Sequence, residues 1–196
     1  MPTSVTISFQ FDLEKTREAL AYLASNSTGA FDKYQACKLL FLADKYHLVR
    51  YGRTITGDAY FAMPHGPAPT RTLNLLTILI EEPEGEPALA SYFTVDRSYV
   101  NPRLRATHAE YDNLSKSDIE ALDATLRRFD GKTFPELRAL THEMVAYRKA
   151  WDNRGRKKSV KMAFEDFFEE DSDAIAGVLD EAIEDSQLRK AFPGRE

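Results

Sequence analysis

The chain has 196 residues, 43% of them apolar, a formal net charge of −5 at pH 7 and a single cysteine, Cys37. That length is enough for one domain to bury a core without staples, and one cysteine excludes an internal disulfide and suits a reducing compartment. The first residues lack the basic and apolar regions of a secretory signal, and no apolar run approaches the roughly 20 residues that cross a bilayer, so a cytoplasmic protein without a membrane segment is expected.

Taken in chain order, Asp12 is placed to cap a helix that runs to about Ser25, with Leu13, Ala19, Leu20 and Leu23 as a modest apolar stripe. Asp32 caps a second helix over 33–47, whose apolar residues at 36, 37, 39–43 and 46 wrap most of its circumference. A helix apolar on nearly all sides is central and buried, and Gly52 is its natural stop. Residues 54–63 carry Ile55, Tyr60 and Phe61, a short extended segment, with Gly57 and Asp58 marking a turn or bulge. Pro64, Gly66, Pro67 and Pro69 predict a loop over 64–70. A third helix follows from about 68–70 to Glu82. Tyr92 to Val95 and Ser98 to Val100 flank a turn and predict a hairpin that pairs with 54–63. Ser115 or Ser117 caps a fourth helix, with Ile119, Leu122, Leu126 and Phe129 on one face and Gly131 at its end. Thr133 and Glu136 form a capping box for a fifth, which tolerates Pro135 in its first turn and presents Leu137, Leu140, Met144 and Val145. Residues 160–168 are expected to continue helically, and Asp171 or Asp173 to cap a last amphipathic helix bearing Ile175, Val178, Leu179, Ile183 and Leu188.

The charge is unevenly spread. From Met162 to the end there are 11 acidic and 3 basic residues, a net of −8, which leaves +3 for the rest. Just before this acidic segment come Arg154, Arg156, Lys157, Lys158 and Lys161. That patch fits either phosphate contact or a solvated loop that balances the acidic segment after it.

No constellation for chemistry is recognisable. His47, His65, His108 and His142 sit in no zinc-ligand spacing, the glycines match no phosphate loop, and no nucleophile elbow occurs. Cys37 lies mid-helix among leucines, where a thiol behaves as a small buried hydrophobe. No catalytic residue, metal or cofactor is therefore expected. Two stretches exceed what folding alone requires. One is the dense polar and aromatic run from Tyr46 through Tyr51 and Arg53 to Asp58. The other is the rigid loop that holds His65 between prolines. Either they form a recognition surface on a rigid scaffold, or Arg53 and Asp58 tie the segment to the helix by an ion pair while His65 caps the next helix.

The same residues carry a family resemblance. Lys38 to Asp44, Tyr51 to Asp58, Tyr60, Phe61 and Ala62, and Gly66 to Pro69 resemble the core signature of the Panacea domain of SocA-like antitoxins and GepA-type phage-associated proteins. Leu114, Ser115, Asp118, Leu122, Asp123, then Phe134 to Arg138, Thr141, His142 and Trp151, resemble its second half. The stretch from Thr141 to Trp151 is longer here and lacks the proline that precedes the tryptophan elsewhere in the family. The resemblance implies an antitoxin of a type II-like toxin–antitoxin system that neutralises a cognate toxin by direct binding, or, as in SocA-like members, a proteolytic adaptor that delivers the toxin to a AAA+ protease. A DNA-binding autoregulator acting through 154–161 is a further alternative, although nucleic acid is not the expected partner.

The expected fold is α+β, mainly α, with about six helices around the 33–47 helix and a small antiparallel sheet from about 54–63 and 91–106. Residues 1–168 form the antitoxin-like domain and 169–196 an acidic appendage that offers a second contact. The candidate partner-binding residues are Asp44, Tyr46, Tyr51, Arg53, Asp58, Tyr60, His65, Pro67, His142 and Trp151.

Overall fold

The computed structural model describes residues 6–108 and 110–169. Its described elements are seven α-helices and five short strands: α1 (Leu13–Asn26), α2 (Lys33–Tyr51), β1 (Tyr60–Met63), β2 (Gly66–Pro69), α3 (Thr70–Glu81), α4 (Pro87–Ala90), β3 (Phe93–Asp96), β4 (Arg103–Ala106), α5 (Lys116–Phe129), α6 (Phe134–His142), α7 (Val145–Asp152) and β5 (Val160–Lys161). The architecture is α+β and mainly α, as the periodicity predicts. The acidic amphipathic helix expected beyond Asp171 lies outside the described residues.

The central helix is α2. Asp32 accepts hydrogen bonds from the Tyr34 and Gln35 amides and so caps it, while Gly52 closes it at φ 74°, in the left-handed region. Ala36, Leu39, Leu40, Phe41, Leu42, Ala43 and Leu48 are all buried. Helices α1, α3, α5 and α6 and strand β2 pack around it. Each leucine buried in this way contributes about 1.5–3 kcal/mol, so the all-round apolar pattern read from the sequence is what places α2 at the centre. Ser115, rather than Ser117, caps α5, and it shares a capping box with Asp118. The Thr133–Glu136 box also forms as expected.

Four expectations are corrected. First, residues 66–69 form a strand and not a loop. β2 is the edge of a three-stranded antiparallel sheet ordered β2-β1-β5, with Ala62 opposite Pro67 and Tyr60 opposite Pro69; an edge strand tolerates prolines because one side needs no ladder donors. Second, the strands fall into two sheets. β3 and β4 form a two-stranded sheet of their own, bridged to Asp32 at Arg103, and pack over α1 and α4. Third, the fifth predicted helix is two. The Thr141 hydroxyl bonds back to the carbonyls of Leu137 and Arg138, competing with the helical ladder; α6 ends at His142, Met144 turns extended, and α7 begins. Fourth, residues 160–168 are not an α-helix. β5 adds to β1, and a 3-10 turn over Phe164–Phe168 follows. Phe164 packs edge-on against Phe9 and Phe167 against Phe41.

Candidate partner-binding site

The run from Asp44 to Tyr60 is mostly scaffold. Asp44 is fully buried and its carboxylate accepts from the amides of Ile55 and Thr56 and from the hydroxyls of Thr56 and Tyr60 (2.7 Å). It therefore ties the extended segment to α2. Burial pushes this carboxyl above its ordinary range, against the pull of those donors. Asp58, also fully buried, accepts from the Arg71 and Thr72 amides and the Thr72 hydroxyl, so it satisfies the first turn of α3. The cap expected of His65 belongs to Asp58. Gly57 sits at φ 67°, where a Cβ would lie 1.8 Å from the Gln10 carbonyl oxygen; only glycine lets residues 6–12 cross here. Asp44, Asp58, Tyr60 and Pro67 are buried, and as the chain folds they hold the scaffold from inside.

Arg53 does not pair with Asp58. It turns to Asp118 (2.9 Å), at the start of α5, which also receives Lys15 (2.9 Å) and His47 (3.1 Å). His47 Nδ1 faces the Arg53 carbonyl at 2.7 Å and so donates. Burial alone would raise the Asp118 carboxyl, but the bonds from His47 and the Ser115 amide, the Arg53 charge and the Lys15 bond outweigh it and hold the group well below its usual range. Tyr51 donates to Glu120 at 2.6 Å. With Arg50 and the half-buried Tyr46 it forms the outer rim of this cluster. Asp118 reads from the sequence only as part of the α5 cap and of the family resemblance, since Arg53, His47 and Lys15 stand 65 to 103 residues away along the chain.

The remaining candidates gather elsewhere, around the β1–β2 turn. His65 is exposed at its tip and lies edge-on to Phe134 (6.2 Å), which in turn meets Tyr34. Gly66, at φ 97°, lets the turn sit against Lys38, Thr141 and His142. Arg138 donates to the Pro64 carbonyl and Tyr147 to that of Met63. From this turn an aromatic column runs outward: His142 stacks on Tyr147 (4.4 Å), Tyr147 on Trp151 (5.8 Å), and the Arg154 guanidinium lies 3.8 Å over the Trp151 ring. Arg138 Nε and His142 Nε2 are buried and meet no acceptor or donor among the described residues.

Beneath the column is Lys38, 3% exposed, with its ammonium on the Pro67 carbonyl at 2.6 Å. Burial brings its pKa down to about 7. Burial, Arg138 and Lys38 together lower His142 as well. Cys37 beside it is buried and its thiol is pushed up to about 12 by burial, so it packs as a small hydrophobe. A lysine on a helix is ordinarily solvated, so Lys38 does not stand out in the sequence; its apolar neighbours at 36–43 are the signal that it is buried.

The ten candidates thus divide into two groups near opposite halves of α2. Lys38 and Tyr51 are 13 residues apart, about 20 Å of helix rise. Among the described residues no group of His, Cys, Asp and Glu could hold a metal ion, and no helix is long and apolar enough to cross a membrane. A family model described as "Antitoxin SocA-like, Panacea domain" matches residues 37–152, more than half of the chain. No curated protein and no solved structure matches it.

Proposed function

The chain belongs to the SocA-like Panacea antitoxin family, and from that premise we propose that it neutralises a cognate toxin in the cytoplasm by direct protein–protein binding at the β1–β2 turn and the aromatic column beside it. The observation that supports this site is the convergence of the exposed His65 and the partly exposed His142 and Trp151 around the turn that the buried Gly66 closes. These residues come from both blocks that resemble the family, and the chain's own packing requires neither an exposed His65 nor a half-exposed tryptophan. Histidine, tyrosine, tryptophan and arginine in one column supply the large, stiff, amphipathic contacts that dominate interface energies. The Arg53–Asp118 cluster serves as a brace between α2 and α5.

The test is co-expression with the toxin encoded by the neighbouring gene. His65→Ala with Trp151→Ala should abolish capture of the toxin and restore its toxicity while the circular dichroism stays native. Tyr51→Ala, on the other group, should leave capture intact. Full capture by the double variant would sink the assignment. Toxin lifetime measured in the same cells separates the two modes of action. A constant level with lost toxicity is sequestration, and a level that falls only when a AAA+ protease is present is delivery for degradation.

A further inference from the structure

We propose that a groove between α2 and α5 docks an acidic peptide segment of a protein partner, one that carries a leucine- or phenylalanine-sized side chain among carboxylates. α5 presents the small residues Ala124 and Thr125 where α2 presents Leu42 and Tyr46, and the difference in side-chain size leaves a groove of about 400 Å³. Leu42 and Phe129, both nearly buried, give it an apolar floor, and the half-buried Tyr46 and Ala124 form its walls. Arg127 and Arg128 stand exposed at its rim, with the Arg128 guanidinium 5.3 Å over the Phe129 ring. Ligand pockets span about 300–1,000 Å³, so a groove near the low end takes one or two side chains of a peptide.

Charge selects the partner. None of the described residues that line the groove is acidic. The acids near it in the chain are engaged elsewhere: Glu120 by Tyr51 and Arg50, Asp123 by the Tyr22 hydroxyl, and Asp130 by Ser27 and Thr28. Arg127 and Arg128 make no ion pair with a described carboxylate. Cations in the last turn of a helix interact favourably with its dipole. That accounts for their place on α5, but not for the apolar groove beside them. A guanidinium matches a carboxylate with two parallel hydrogen bonds. An exposed ion pair alone contributes little, so binding here needs both parts: an apolar side chain anchored in the groove and carboxylates on the rim. The groove shares no lining residue with the β1–β2 turn or the aromatic column, so this inference does not depend on where the toxin binds.

Fluorescence anisotropy on the full-length protein tests it, with a short labelled peptide of glutamates around a pair of leucines as the probe. Arg127→Glu with Arg128→Glu should weaken binding by about tenfold or more while the circular dichroism stays native. Ala124→Phe, which fills the groove and leaves the charge unchanged, should weaken it by a similar factor. The same peptide with glutamine in place of glutamate, or alanine in place of leucine, should bind about tenfold more weakly to the wild type. His65→Ala with Trp151→Ala should bind the peptide as the wild type does, so a failure of this groove and a failure of the toxin site are told apart. Several outcomes overturn the proposal: no binding by the wild type, binding that either groove variant leaves unchanged, or loss of binding in the His65→Ala, Trp151→Ala protein. Equal binding of the alanine peptide reduces the effect to charge attraction and overturns it too. So does a wild type that self-associates in sedimentation when the Arg127→Glu, Arg128→Glu protein does not, since the occupant is then a second copy of the chain.

Discussion

Replacing Lys38 by methionine tests the physics of the candidate site most directly. The ammonium is 3% exposed, has one carbonyl partner, and its pKa falls from 10.5 to about 7 on burial. In the unfolded chain the amine stays protonated to high pH. Between the two values the unfolded state therefore binds the extra proton, and folding grows more favourable as pH rises. Integrating the difference in bound protons from pH 7 to pH 10, at 1.36 kcal/mol per unit, gives about 3 kcal/mol. Methionine fills a similar volume and cannot titrate. Urea unfolding of both proteins should thus show the wild type gaining about 3 kcal/mol on Lys38→Met over that range, with the tyrosine contributions cancelling between them. Below pH 7 the variant should be the more stable of the two, because it no longer buries a charge. A difference that changes by less than about 1 kcal/mol from pH 7 to pH 10 would refute the reasoning and mean that water or an unseen partner solvates the ammonium.

Asp118→Asn should cost about 3–5 kcal/mol in the same assay, since it leaves Lys15, His47 and Arg53 facing a neutral group at a fully buried site. The folded carboxyl is depressed, so its contribution is present above the unfolded value near 3.9 and drains away as pH falls below it; the gap between wild type and variant should narrow on acidification through that range. Gly57→Ala should be strongly destabilising. Its Cβ meets backbone at 1.8 Å in a left-handed conformation, and a loss of more than about 3 kcal/mol, read as a lowered denaturation midpoint, is expected. A near-wild-type midpoint would mean that residues 6–12 do not cross there.

Helix positions were legible in the sequence wherever a cap and a periodic apolar face coincided: Asp12, Asp32, Ser115 and Thr133 each open a helix as expected. The short strands were less legible, because β2 is two prolines in four residues and β5 only two residues long. Nothing local marks a segment as an edge or a bridge; its neighbour does.

The candidate site shows the same division. The run from Ala36 to Ala43, apolar at every position but Lys38, determined by itself that α2 is central, since such a helix has no face to give to water. The residues resembling the family likewise fall within the stretch 37–152 that the family model matches. Only the tertiary structure decided which of them look outward. Asp44 and Asp58 are polar residues in a dense polar run and read as surface, yet each spends its carboxylate on backbone amides far along the chain and is buried by doing so. His65, His142 and Trp151 are up to 86 residues apart and come together only because β2 packs against α2 and α6. Burial and pairing depend on distant partners, and a sequence pattern reports only the near ones.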